Sequence, residues 1–137
     1  VAEKAHKVID GHCPRINNKE LNAYLCGNIK TDHECTNPLE ALNKVSRGMY
    51  VMLREGSAAR DLVNLLPAVN SNNYHRFLFC TDDRHIEDIL EEGSIDNCIR
   101  LAIREGLEPL KAYTIASFNA ASCYNLKDRG AIAPGYK

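Results

Sequence analysis

The chain has 137 residues, of which 17 are basic, 18 are acidic and 45% are hydrophobic. This length allows one domain with a buried core. The near-zero net charge and the absence of a Lys/Arg tract argue against a nucleic-acid partner, and no apolar run is long enough to predict a membrane span.

Four short apolar segments are predicted to be strands, with helical patterns between them. The strands are Lys7–Asp10, Ile29–Asp32, Met49–Leu53 and Phe77–Cys80. The third is continuously apolar, as in a strand that is covered on both faces. Strands that alternate with helices predict an α/β fold with a parallel sheet. Since a complete (β/α)8 barrel needs about 250 residues, this chain supplies about half of a barrel or forms a small open sheet.

Capping residues predict where the helices begin and end. Asn17 or Asn18 is expected to cap the first helix, and Asn37 the second. Ser57 is expected to cap a third helix, which Pro67 ends or kinks. Three later helices are predicted over Ile86–Glu92, Ile95–Glu105 and Pro109–Tyr124.

Glycines and apolar spacing complete the helix predictions. Gly27 suits the left-handed position after the first helix, and Gly48 is expected to end the second. Apolar residues at helical spacing predict the buried faces. They are Leu21, Tyr24, Leu25, Leu39, Leu42, Val45, Leu62, Leu65, Leu66, Val69, Leu110, Tyr113, Ile115, Ala116 and Phe118.

The six cysteines include no Cys-x-x-Cys pair. Their spacing fits neither a disulfide framework nor a structural zinc site. Several lie in apolar runs, where a cysteine packs as a small hydrophobe. We therefore predict free thiols and a cytoplasmic location. Packing is the preferred interpretation even for Cys13 and Cys35, which lie close to the polar residues described next.

Polar residues follow the predicted strands at regular intervals. His12, His33 and Arg54 are successively 21 residues apart, and Asp82 comes 28 residues after Arg54. Each step is about the size of one strand-plus-helix unit. Because the carboxyl ends of parallel strands lie at one edge of a sheet, these residues should gather there. That edge is where α/β barrels place their active sites.

His12, His33 and Asp82 are the candidate metal ligands. Neutral imidazoles and an ionised carboxylate that converge from separate strands suit a divalent cation such as Zn, Fe or Mn. Such an ion lowers the pKa of a bound water. Each histidine taken alone is more often a structural or surface residue. Their shared position at strand ends favours the functional interpretation.

Four other polar residues complete the candidate site. Asp83 follows Asp82 after an apolar strand, and two such acids need a partner if they are buried; alternatively, both begin an exposed loop and cap the next helix. Glu34 is either an acid–base residue or a loop charge. Arg54 is a candidate substrate ligand, and His85 either faces the site or caps the following segment.

Five segments resemble the adenine deaminase family of the amidohydrolase superfamily, in the family's order and over nearly the whole chain. They are Ile-Asp-Gly-His at 9–12, Thr-Asp-His-Glu-Cys-Thr at 31–36, Arg-Gly-Met-Tyr-Val-Met-Leu-Arg-Glu-Gly-Ser-Ala-Ala at 47–59, Phe-Cys-Thr-Asp-Asp-Arg-His at 79–85, and 126–136. The middle segments are specific to the family. The Gly-x-Ile-x-Pro-Gly within the last segment is shared across the superfamily.

The resemblance implies a metal-dependent barrel that hydrolyses adenine to hypoxanthine and ammonia, with this chain as strands five to eight. By similarity, His12, His33 and Asp82 bind one or two divalent ions (Mn, Fe or Zn), and Asp82 also takes a proton from the attacking water. Glu34 protonates the ring, and Asp83 holds the purine. Arg54 and His85 complete the substrate site.

The family's first-strand His-x-His pair and strand-four acid have no counterpart in these 137 residues. We therefore expect residues 1–137 to be the C-terminal part of a barrel domain, ending where the chain returns to a small β domain, and to be inactive alone. Unpaired strand edges predict a homo-oligomer or association with the missing half. The rival hypotheses are another amidohydrolase, acting on a cyclic amide or a different amino-purine, and a non-catalytic half-barrel.

Overall fold

A three-stranded parallel sheet lies at the centre of the computed structural model, which describes residues 2–137 apart from the side chain of Glu3. Its order is β1 (Thr31–Asp32), β2 (Tyr50–Arg54) and β3 (Phe77–Cys80). The register sets Val51 opposite both Asp32 and Phe77. The predicted α/β class and parallel sheet are confirmed.

The predicted first strand, Lys7–Asp10, is wrong in extent. Only Ile9 pairs, in a single parallel bridge with Ile29, and the Lys30 N–H donates to the Ile9 carbonyl at 3.0 Å. The neighbouring strand β1 is itself only two residues long, so it offers no ladder for a longer partner. The segment still runs alongside the sheet, in the direction that the prediction requires.

Helices connect the strands and follow them. They are α1 (Asn18–Cys26), α2 (Pro38–Val45), α3 (Leu62–Leu65), α4 (Ile86–Glu92), α5 (Ile95–Arg104), α6 (Pro109–Thr114) and α7 (Ala120–Cys123). A π-helical turn, Ile115–Asn119, joins α6 to α7. Short 3₁₀ turns cover Glu3–Ala5, Leu66–Ala68 and Tyr74–Arg76. No helix in residues 2–137 is long and apolar enough to cross a membrane.

The two asparagine caps are confirmed. The Asn17 side chain accepts the N–H groups of Lys19 and Glu20, and the Glu20 carboxylate accepts the Asn17 N–H at 2.9 Å. Asn37 accepts the Glu40 N–H at 3.0 Å. Both caps satisfy backbone donors that the first helical turn leaves without partners, and the Asn17–Glu20 pair does so reciprocally.

Two of the predicted boundary residues behave differently. Gly27 has φ −75°, and Asn28 takes the left-handed conformation after α1 instead, with φ 58°. Ser57 does not cap a helix, because α3 begins only at Leu62. The Ser57 hydroxyl accepts the His85 N–H at 2.8 Å and donates to Asp88. It therefore fastens the loop after β2 to the loop after β3.

The core covers both faces of the sheet. Val51 and Leu53 face one way, and with Phe77 and Phe79 they pack against the helices; all four are nearly or fully buried. Met52 points to the opposite face, where Leu78 and Cys123 cover it. This alternation follows from the two-residue period of a strand and explains why the sequence of β2 is apolar throughout.

Several predicted buried residues are exposed. Leu39 is 79% exposed, and Leu110, Tyr113 and Phe118 lie 74%, 58% and 49% exposed. Apart from Ile115, which was predicted correctly, the residues buried on these helices are small or polar, so hydrophobic spacing alone did not reveal which face is buried. On α2 they are Ala41 and Lys44, and on the last helical segment they are Ala112, Ile115, Asn119 and Cys123.

Candidate metal centre

His12, His33 and Glu34 converge at the carboxyl edge of the sheet. One donor atom from each lies within 4.8 Å of the others. Glu34 Oε1 is 3.6 Å from His12 Nδ1 and 3.4 Å from His33 Nε2. The two imidazole rings meet edge to face at 5.5 Å. His12 is exposed, whereas His33 and Glu34 are partly buried.

Close backbone packing brings the His12 loop to the His33 strand. A Cβ at Gly11 would lie 2.4 Å from the Thr31 carbonyl oxygen, so only glycine allows this approach. The His12 N–H donates to the Tyr24 hydroxyl at 2.8 Å. Asp10 accepts the Thr31 hydroxyl and lies 3.8 Å from His33 Nδ1.

A buried ammonium lies beneath the two histidine loops. Lys44 is 1% exposed, and its Nζ donates to the Cys13 carbonyl at 2.8 Å, to Asp32 Oδ2 at 2.8 Å and to Glu40 Oε1 at 3.0 Å. Burial alone would raise the pKa of the Asp32 carboxyl, but the hydrogen bond and charge of Lys44 outweigh it and hold that pKa below its usual value. Both groups of the pair are therefore ionised near neutral pH.

Arg54, at the end of β2, gathers three carboxylates. Its Nη1 contacts Glu34 and lies 3.2 Å from Asp82 Oδ2, while Nη2 lies 2.9 Å from Asp61 Oδ2. Burial lowers the pKa of the guanidinium, but the bonds to Asp61 and Glu34 outweigh it and raise that pKa. Arg54 thus links the ends of all three strands and the loop before α3.

Asp82 is not one of the three clustered donors, which are His12, His33 and Glu34. It lies next to them, because Arg54 Nη1 contacts both Asp82 and Glu34. Its backbone has φ 44°, a conformation that aspartate tolerates better than most residues. Asp83 binds the loop after β2: its Oδ2 accepts the Ala58 N–H at 3.0 Å. Backbone bonds of this kind hold the pKa of Asp83 below its usual value.

His85 precedes α4 but its side chain makes no capping bond. It is exposed, and its N–H is held by Ser57. The structure therefore brings His12, His33 and Glu34 together, sets Arg54 and Asp82 next to them, and leaves Asp83 and His85 in the adjoining loop.

The donor set suits a divalent metal ion. Two imidazoles and one carboxylate are typical ligands of Zn, Fe and Mn, and the separation of their donor atoms is compatible with a shared cation. Glu34 belongs to this group by position, although it was predicted as an acid–base residue. An ion held here would share Glu34 with the Arg54 guanidinium.

The sequence interpretation missed Lys44, Asp32 and Asp61. The signal for Lys44 was its place on the buried stripe of α2, three residues after Ala41 and four after Glu40, where a charge needs a buried partner. Asp32 ends a short strand, directly before His33, and a carboxylate buried there carries the same signal. Asp61 has no such pattern, because its contact with Arg54 depends on the path of the loop.

The fold and site describe an α/β protein with a candidate metal centre at the carboxyl ends of parallel strands. The chain belongs to the amidohydrolase family, whose model matches residues 1–137.

Curated relatives share about half of its residues. Proteins named adenine deaminase are 53% identical in Bacillus pumilus over 135 residues, 54% in Bacillus licheniformis over 135 residues, and 55% in Kosmotoga olearia over 132 residues. These matches cover 96–98% of this chain but only 23–24% of each relative. The chain therefore spans about a quarter of the length of the relatives it matches.

Proposed function

We propose that this chain is part of a metal-dependent adenine deaminase, which hydrolyses adenine to hypoxanthine and ammonia. The names of its relatives and its family support this assignment. Within the proposed enzyme, the Ile9 segment and strands β1 to β3 correspond to strands five to eight of a (β/α)8 barrel. Residues 1–137 form the C-terminal part of that barrel domain.

The observation that carries the proposal is the convergence of His12, His33 and Glu34. His12 and His33 are 21 residues apart, and Glu34 directly follows His33. Donor atoms from all three nevertheless lie within 4.8 Å of one another at the carboxyl edge of the sheet. Family residues that bind metal at this edge match His12, His33 and Asp82, and we retain these three as the ligand set. Asp82 is close enough to Glu34 for one guanidinium nitrogen to contact both.

The chain's own residues have distinct proposed roles. When bound, a divalent ion of Mn, Fe or Zn would lower the pKa of a water molecule. Asp82 accepts the proton of the attacking water, and Glu34, between two imidazoles, delivers a proton to the purine ring. Arg54 holds both acids in place through its contacts with them. Asp83 and His85, in the adjoining loop, are the proposed contacts to adenine, with Arg54 as a further one.

Metal binding by the chain tests the site directly. Replacement of His33 by alanine should weaken the affinity for Zn²⁺, measured by competition with a chromophoric chelator, by at least about tenfold. His75→Ala is the matched control, because His75 is exposed and precedes β3 at the amino edge of the sheet. Equal affinity of the His33→Ala and His75→Ala variants would contradict the proposed site.

Ammonia release tests the reaction. The 137-residue chain should release none from adenine with added Mn²⁺, Fe²⁺ or Zn²⁺, because it lacks the family's His-x-His pair; robust turnover would refute this expectation. In the intact enzyme, His33→Ala should abolish release. Preference for a cyclic amide or another amino-purine would identify a different amidohydrolase, and loss of stability without loss of activity would indicate a scaffold.

The proposed enzyme is cytoplasmic and acts in purine metabolism. The chain alone is expected to form homo-oligomers or to associate with the other half of the barrel, because the outer edge of β3 pairs with no further strand within residues 2–137. Light scattering that shows only a monomer at high concentration would count against this association.

A further inference from the structure

We propose that Lys44 is a positioning residue for the metal centre: its buried ammonium joins the loop that carries His12 to the strand that carries His33. The sequence places Lys44 on a helix, away from both histidines. The structure brings its Nζ to the carbonyl of Cys13, directly after His12, and to the carboxylate of Asp32, directly before His33.

The junction is closed by further bonds that bypass Lys44. Asp32 Oδ1 accepts the Cys13 N–H at 2.9 Å, and Asp32 Oδ2 accepts the Glu34 N–H at 3.2 Å. The carboxylate therefore contacts both histidine loops as well as the ammonium. Because Asp32 is 0% and Lys44 1% exposed, water does not compete for these bonds, and each is stronger than it would be at the surface.

Glu40 extends the same junction outward. Its Oε1 accepts the Arg15 N–H at 2.8 Å and the Lys44 ammonium at 3.0 Å. Its Oε2 accepts the Thr36 N–H at 3.3 Å. The ends of both loops, at Arg15 and Thr36, are thus held by one side chain of α2.

A purely stabilising role would not require this arrangement. Replacement of a buried ion pair by apolar residues is often neutral or favourable to stability, so stability alone gives no reason to place a lysine here. What the ammonium supplies is a second link between the two segments, from the Cys13 carbonyl to the Asp32 carboxylate, beside the direct bond from the Cys13 N–H to Asp32. Residues that orient metal ligands in this way typically change metal affinity by about 10- to 100-fold when they are removed.

The test compares Lys44→Met with two controls in the 137-residue chain. Lys111→Met makes the same substitution on α6, where the lysine pairs with Glu108 and is 25% exposed. Asn119→Ala removes a buried polar group that donates to the Tyr74 and Phe77 carbonyls at the amino end of β3. The first control matches the lost charge, and the second matches a loss of stability remote from the histidines.

The predicted effect of Lys44 on metal affinity rests on the proposed function, whereas its effect on the two loops does not. Two measurements therefore separate the inference from the proposed function. Hydrogen exchange at the Cys13 and Glu34 amides reports the junction without metal, and Lys44→Met should accelerate it by at least about tenfold, with neither control doing so. Zn²⁺ affinity should fall by about 10- to 100-fold in Lys44→Met and stay within about twofold in the controls. If the unmodified chain binds no Zn²⁺, the metal site proposed for this chain fails, and the exchange rates still decide whether Lys44 holds the two loops together.

A second variant keeps the test valid if Lys44→Met folds poorly. Lys44→Met combined with Asp32→Asn removes both charges of the most deeply buried pair, so only Glu40, whose side chain is 10% exposed, loses its cation, while the amide oxygen still accepts the Cys13 N–H. This double variant should recover melting temperature but keep fast exchange at the Cys13 amide, whose acceptor oxygen Asp32→Asn retains, and weak Zn²⁺ binding. Unchanged exchange in both variants, or equal acceleration in Asn119→Ala, would overturn the inference.

Discussion

Replacement of Arg54 by methionine should destabilise the chain strongly, because it leaves three carboxylates without their shared cation. The Arg54 side chain is 7% exposed, and its partners Glu34, Asp61 and Asp82 are 16%, 19% and 39% exposed. Loss of one partner from a buried ion pair costs about 3–5 kcal/mol. Asp82 is solvated well enough that the loss of its cation costs little stability. Partial solvation of Glu34 and Asp61 reduces the expected loss in the free energy of unfolding to about 2–4 kcal/mol.

Urea unfolding followed by circular dichroism measures this loss. With a slope of about 2 kcal/mol per molar urea, the middle of the usual range, the midpoint should fall by about 1–2 M. Arg100→Met is the control, since Arg100 is 60% exposed and pairs with Asp96 on the surface of α5; its loss should cost about 0.5 kcal/mol.

Charge rescue identifies the cause. Asp61→Asn in the Arg54→Met background removes one uncompensated carboxylate and should recover about 1 kcal/mol. A midpoint for Arg54→Met no lower than that of Arg100→Met would refute the reasoning, since it would mean that water already compensates the three acids.

Three further predictions concern the loops, the thiols and a helix cap. Gly56→Ala should destabilise the chain by about 1–3 kcal/mol in urea unfolding, because its Cβ would lie 1.6 Å from Asp83 Oδ1. Under native conditions a disulfide reagent at pH 8 should modify exposed Cys26 first, whereas Cys98 should react only on unfolding, since it is buried and burial raises its pKa to about 11. Asn37→Ala should lower the free energy of unfolding by about 1 kcal/mol, because the Glu40 N–H then loses the side-chain oxygen that accepts it.

Each of these has a simple control. Gly27→Ala should cost less than Gly56→Ala, since the nearest atom to its Cβ is the Tyr24 carbonyl oxygen at 3.2 Å. Rapid modification of Cys98 in the native chain would show that it is accessible. Equal stability of Asn37→Ala and the unmodified chain would mean that water replaces the cap.

Features that depend on neighbours in sequence were predictable. The Asn17 and Asn37 caps satisfy donors two or three residues away, and the apolar runs of β2 and β3 reflect burial on both faces. The approach of His12 to His33 was also predictable, because parallel topology alone sends both to the same edge. The structure brings their rings to 5.5 Å.

Features that depend on distant partners were not predictable. Leu39 was assigned to the buried face of α2, but that face is occupied by Lys44, whose cost of burial is offset by Asp32, Glu40 and the Cys13 carbonyl. Ser57 has the right residue type for a helix cap, yet the loop after β2 continues to Asp61 and uses its hydroxyl to hold His85. Local preference does not predict either outcome, because Lys44 also needs Asp32 and Cys13, and Ser57 needs His85, all of them more than ten residues away in sequence.

The position of His33 follows from the acids on either side of it. Asp32 points to the buried Lys44 ammonium beneath the sheet edge, and Glu34 points to the Arg54 guanidinium at the end of β2. Residues two apart in an extended strand face the same way, but β1 ends at Asp32, and the two acids on either side of His33 reach two different cations, which together hold this segment. The imidazole itself lies between two carboxylates, with Nδ1 3.8 Å from Asp10 Oδ2 and Nε2 3.4 Å from Glu34 Oε1. The imidazole is therefore oriented by the protein's own charges, and a cation would meet a ligand that is already in place.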